Sequence, residues 1–330
     1  MSSTTSQSDV FEAGSTLHPN QDARSEDPTG TKTARKNATG TFNNRWATVR
    51  GILRETLERN DALRLRDIDH GPERSVAPGT LRPDVIDDFG TESNADRLSR
   101  FSEWFRAVLD EHVLEPLDEE RVKEGGHYTA AMVAAAYARG LSLANHDLRQ
   151  SSLPDPNTGD DGDENPSDLV GRDRHQDALK QERTQIYGDV NRAVNETHTQ
   201  AQRTLSEDLS LAAAGGITIR ELTNQVVGRV NAVGQTSTET SAHTRIVESV
   251  NTAVIERGAE VGVEEVGVSI EYDIEDDDPE YEYTTAGDLR VCGRCSPYEG
   301  TSWTLTEIRT GVGPNPPLHP RCRCRVVLTG

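Results

Sequence analysis

The sequence predicts an α+β chain that is mainly α. It has a helical body, a small C-terminal β module gathered around a cysteine cluster, and a disordered N-terminal arm. Three observations predict this. Apolar side chains recur at helical spacing through most of the chain, the period changes to two near residue 266, and all four cysteines fall within Cys292–Gly330. The expected segments are an arm over 1–41, a helical region over 42–150, an acidic linker over 151–172, a helical body over 173–265 and the β module over 266–330.

Residues 1–41 are rich in Ser, Thr, Asn, Asp and Gly, with Val10, Phe11 and Leu17 nearly alone as large apolar groups. Such a segment buries too little surface to offset its ordering entropy. Acids spread through it, from Asp9 to Asp27, set it apart from a transit peptide. Phe42, Trp46, Val49, Leu53 and Leu57 then trace one face of a helix over about 43–66, followed by a proline-containing connection. Leu98, Phe101, Phe105, Val108 and His112 make a second stripe, with His112 a packed side chain rather than a ligand. The alanine-rich run from Tyr128 to Leu148 predicts a third helix, with Gly140 marking a kink. The acids of 151–168 do not form a calcium loop: from Asp155, Asp160 stands where glycine is required and Pro166 where the bidentate glutamate belongs.

Leu179, Ile186, Val190, Val194, Ala201, Leu205 and Leu209 outline a helix of about 35 residues that ends at Gly215-Gly216. Thr218 and Glu221 form a capping box for a helix carrying Leu222, Val226, Val230 and Val233. A further helix covers about 241–257, with Gly258 as its stop. Val266, Val268, Ile270 and Tyr272 alternate as a half-buried strand, Tyr281–Thr285 is a second extended stretch, and Cys324, Val326 and Leu328 close the module.

The cysteines form two half-sites: Cys292-Gly-Arg-Cys295, then 23 residues, then His319-Pro-Arg-Cys322-Arg-Cys324. A tetrahedral zinc site needs four N/S donors, and a C-x2-C turn supplies two from one knuckle. Cys322 and Cys324 point the same way in extended backbone, so an all-thiolate site is one reading. Three cysteines with His319 is the other, and both stay open. Disulfides would be the alternative in an oxidising compartment, but no apolar signal segment precedes the chain. A zinc deaminase needs H-x-E and P-C-x-x-C, whereas no H-x-E occurs and Val291 stands where the proline belongs. With five candidate donors, no coordination position is left for water. The expected site is structural and no catalytic residue is assigned.

The formal net charge is −21, with 56 acidic and 35 basic side chains, of which only Lys32, Lys36, Lys123 and Lys180 are lysines. An acidic, arginine-rich, lysine-poor surface suits a halophilic host. At about 1 M salt the Debye length is roughly 3 Å, so long-range attraction to nucleic acid or anionic membrane is largely extinguished. Metal–thiolate bonds are short-range and survive such screening. No run of apolar residues is long enough to predict a membrane span.

The run Tyr283-Thr-Thr-Ala-Gly-Asp288-Leu-Arg-Val-Cys292-x2-Cys295, then Glu299-Gly300, then Pro316-Pro317-Leu318-His319-Pro320-Arg-Cys322-Arg-Cys324 resembles the ending of the head-morphogenesis proteins of tailed viruses. This is the minor head protein family typified by phage Mu protein F. The helices over about 175–262 also look like that family's body, although its frequent R-T-E run is here Thr238-Glu239-Thr240…His243-Thr244-Arg245. The resemblance implies a minor capsid protein of a tailed virus, present in the virion at the capsid interior or portal vertex and in the host cytoplasm during assembly; the composition adds the expectation that the host is a halophilic archaeon. The resemblance also implies portal protein and major capsid protein as partners, and neither enzymatic chemistry nor a small-molecule substrate. A zinc module contacting packaged DNA is the alternative suggested by Arg321, Arg323 and Arg325, and a metal-dependent nuclease or toxin-like enzyme is another.

Overall fold

The computed structural model describes residues 27–63, 65, 93–151, 165–266 and 278–329. The expected arm up to residue 26, most of the acidic linker and all of the expected Val266–Tyr272 strand except Val266 lie outside them; Val266 ends a helix and does not open a strand. The rest is mainly helical, with a small sheet near the C-terminus.

Helix α1 covers Lys32–Arg54 and continues as a π-helical turn to Arg59. It begins about ten residues before the apolar stripe does, so residues 32–41 belong to a helix and not to an arm. Helix α2, Asn94–Leu109, is capped by Ser93 and also runs on as a π-helical turn. Short α3 (Glu119–Lys123) precedes α4 (Ala130–Gln150), and short α5 (Pro166–Val170) precedes α6 (Asp173–Ala213). Helix α7, Ile219–Arg229, starts at the expected Thr218–Glu221 capping box. It passes through a π-helical turn at Val230–Gln235 into α8, Thr236–Val266. The two helices expected on either side of residue 238 are therefore one run.

Two glycines admit close neighbours. Gly258 does not stop α8: a Cβ there would lie 2.1 Å from the Tyr281 hydroxyl, so glycine admits a ring against the helix backbone. Helix α4 runs without a break through Gly140, where a Cβ would lie 2.4 Å from the Val250 carbonyl oxygen. It permits close passage of α4 and α8.

The sheet has the order β2-β1-β3, with β1 Glu280–Thr284, β2 Ser302–Thr304 and β3 Arg325–Leu328, all antiparallel. Tyr281 pairs with Trp303 and with Leu328, and Tyr283 with Val326. Helix α9, Leu305–Thr310, follows β2 from a second capping box, Thr304 and Glu307.

The chain divides into two compact units. The first comprises Met1–Ala38, Leu117–Tyr187 and Thr240–Gly330, the second Thr39–Pro116 and Gly188–Glu239. The β module thus shares a unit with helical segments instead of standing apart as 266–330. Specific bonds explain this. Asn251 on α8 donates to the Cys324 carbonyl at 3.2 Å and accepts from the Val326 N–H at 2.8 Å. The Tyr281 hydroxyl donates to the Ile255 carbonyl at 3.2 Å. Arg325 Nη2 meets both carboxylate oxygens of Asp147 on α4 at 2.6 Å, with both side chains buried. Val133, Tyr137, Leu141, Leu179, Ile186 and Ala253 lie in an apolar cluster of the same unit.

Beside it, Glu260 gathers Arg172, His175 and Arg257, whose hydrogen bonds overcome the opposing effect of burial and hold its carboxyl down at about 2. In the second unit the stripe Phe42, Trp46, Val49, Leu53 and Leu57 is fully buried. Trp46 Nε1 donates to Thr238 at 2.9 Å, and Phe101 stacks on Phe105 at 5.5 Å. The expected second stripe is buried at Phe101, Phe105 and Val108, while Leu98 and His112 at its ends are half-buried.

Candidate metal centre

The donors are delivered by two backbone segments, one between β1 and β2 and one leading into β3. After β1, the chain turns into the first knuckle, where Cys295 and Ser296 N–H groups both donate to the Cys292 carbonyl at 3.0 Å. The N–H groups of Arg294 and Cys295 also point at the Cys292 sulfur. The second half-site is closed by the Cys322 N–H donating to the His319 carbonyl at 3.1 Å, with Arg321 at φ 62°. It leads directly into β3. One ion pair links the halves and one hydrogen bond braces the first knuckle. Arg323, between the last two cysteines, makes a bidentate pair with Asp288 at 2.8 and 2.7 Å. Glu299 accepts from the Thr285 N–H at 2.7 Å.

All five expected donors come together. Cys292, Cys295 and His319 form one group, and Cys295, Cys322 and Cys324 another, with ligand atoms within 4.8 Å of one another in each. Cys295 belongs to both. Among the described residues these are the two groups that could hold a metal ion. Cys295 and Cys322 sulfurs stand 3.8 Å apart. A tetrahedron with metal–sulfur bonds of about 2.3 Å has S···S edges of about 3.8 Å, so this pair already has the spacing of two ligands. Cys292 Sγ lies 3.1 Å from His319 Nε2, somewhat inside the S···N edge of about 3.6 Å that the same geometry requires. The histidine tautomer follows from its other nitrogen. Nδ1 meets the Pro320 carbonyl at 2.8 Å, and a carbonyl can only accept, so Nδ1 carries the proton and Nε2 presents its lone pair.

The electrostatics favour a cation. Hydrogen bonds from the Cys324 thiol, then the N–H groups of Cys324 and Leu318, hold Cys322 down at about 5 despite burial. The same bond raises Cys324, and burial pushes Cys295 up to about 12. Cys322 and Cys292 are thus eased toward the thiolate beside Cys295 and Cys324, which are crowded into the thiol form. A metal ion among them would allow all to be thiolates. The Tyr283 hydroxyl is buried without a hydrogen-bond partner of normal geometry, and it faces Cys295 and Cys324. An orphaned donor turned toward sulfurs suits a cluster in which those sulfurs carry charge. The residues therefore fit a bound metal ion.

Sequence reasoning missed several of the supports. The arginine run expected as a local basic patch is mostly internal: Arg325 is buried against Asp147 and Arg323 is paired with Asp288. Arg321 is exposed, its backbone N–H donating to the Thr244 hydroxyl and its Nε to the Thr240 hydroxyl, both at 3.3 Å. The signal was present in the alternation of Cys-Arg-Cys-Arg, which turns arginines away from the sulfurs. Asn251 and Asp147 carried no signal, because their partners lie far off in sequence. No described helix is long and apolar enough to cross a membrane. No family model, curated protein or solved structure matches the chain.

Proposed function

We propose that this chain is a minor capsid protein of a tailed virus, a structural virion component associated with the portal or inner capsid, with its C-terminal module stapled by one zinc ion. The ordered run from Tyr283 to Cys324, with its resemblance to the head-morphogenesis ending, carries the viral reading. The five-donor cluster carries the zinc reading. Cys292 and Cys295 would hold the ion with two of His319, Cys322 and Cys324. Bound zinc would supply folding free energy, on the order of 10 kcal/mol in small zinc modules. More donors than coordination positions suits a staple, since a catalytic zinc keeps one position for water. The inward pairing of Arg323 and Arg325 gives the DNA-gripping alternative no added support.

The test has two arms. Metal analysis of protein made with zinc available should give about one zinc per chain, and a disulfide found by mass spectrometry instead would replace the staple. Co-sedimentation with purified heads or portal rings of a halophile virus should retain the chain, and free protein remaining at the top of the gradient would defeat the capsid assignment.

A further inference from the structure

We infer that the Tyr283 hydroxyl is the hydrogen-bond donor to the metal-bound thiolate of Cys295, a positioning residue that keeps the metal in place. This rests on the zinc reading above and adds a role for a side chain that is not itself a ligand.

Tyr283 is set by the sheet. It pairs with Val326 across β1 and β3. Its N–H donates to the Thr301 carbonyl and its carbonyl accepts from the Gly300 N–H, both at 2.9 Å. Its ring lies tilted against Tyr298 at 5.6 Å and has no exposure to solvent. The ring is therefore held, and the hydroxyl has little freedom to seek another acceptor. It packs in one cluster with Cys295, Cys322 and Cys324 and makes no hydrogen bond of normal geometry there. Native proteins rarely leave such a group unpaired, so an orphan points to a partner whose chemistry changes.

A thiol sulfur is a weak acceptor, whereas a thiolate accepts strongly. Metal binding converts the first into the second. Cys295 belongs to both donor groups, so it is a ligand whichever of His319, Cys322 and Cys324 complete the site. An O–H donated to its sulfur withdraws charge from the thiolate and disfavours its protonation and departure. Partners of this kind typically change metal affinity by about 10–100-fold.

The experiment uses the full chain loaded with Co(II), whose thiolate-to-metal charge-transfer band reports the sulfur ligands. Tyr283→Phe keeps the ring and removes the donor. The expected result is a band moved to lower energy and chelator-driven loss of cobalt faster by about tenfold. Tyr298→Phe, altering the neighbouring ring's hydroxyl, should leave both unchanged. Site-specific 3-fluorotyrosine at 283, a stronger donor of nearly the same shape, should move the band the other way, which keeps the test valid if Tyr283→Phe folds poorly. Wild-type protein that takes up cobalt with no thiolate band would defeat the metal reading itself. A normal wild-type band, with no displacement and no faster release in the 283 variants, would overturn the role of Tyr283 alone.

Discussion

The helical second unit and the C-terminal β module are stabilised by different means. In the former, Phe42, Trp46, Leu53, Phe101 and Phe105 are fully buried along amphipathic helices. In the latter, strands of three to five residues bury sulfurs, Thr284, Thr285 and the Arg325 guanidinium beside a few apolar groups. With a chain only 33% hydrophobic and 5% aromatic, there is little apolar surface to distribute. Area burial is nondirectional and serves long helices well. Short strands instead rely on directional bonds: guanidinium to carboxylate, amide to strand backbone and, on the proposed zinc reading, thiolate to metal. The contrast teaches that each region should fail under a different perturbation.

The largest expected effect comes from Cys295→Ser, which removes the donor shared by both groups. Residues 280–329 should lose hydrogen-exchange protection, an effect on the order of 10 kcal/mol, while 188–239 keep theirs. Retained protection in 280–329 would sink the staple. Asp147→Asn comes next. It leaves Arg325 buried against a neutral partner and should cost about 3–5 kcal/mol in denaturant titration of the first unit.

Trp46→Ala should cost a similar amount, about 3–5 kcal/mol, in the second unit. Unlike the module's stability, that loss should be the same with and without chelator, and a chelator-dependent loss would erase the contrast. Glu182→Gln probes a buried carboxyl pushed up to about 7 by burial and by Glu248, with Ser249 and Thr252 hydroxyls at 2.8 and 2.9 Å. A raised carboxyl favours the folded state below its unfolded value of 4.5, and that contribution is lost as pH rises through about 7. Wild type should therefore lose about 3 kcal/mol relative to the variant between pH 4 and 8, read from paired thermal melts. Parallel melts would show that Glu182 does not titrate in this window. The smallest effect is Thr218→Ala, which removes a helix cap and should cost about 1 kcal/mol by urea denaturation.

The sequence by itself determined what is local. Helical stripes at Phe42–Leu57 and Leu179–Leu209, the Thr218–Glu221 cap, and the change to strands at Tyr281 and Val326 all depend on neighbours within a few residues. So does the knuckle, since C-x2-C and H-x2-C-x-C spacing sets its turns whatever surrounds them. Tertiary structure decided whether a glycine breaks a helix or admits a neighbour, as at Gly140 and Gly258. It also decided that Arg325 turns inward to a carboxylate 178 residues away, and that Tyr283 packs among the sulfurs. Those outcomes rest on pairings between side chains distant in sequence. Periodicity carries no record of such pairings, because burial and desolvation assign partners only once the elements have packed.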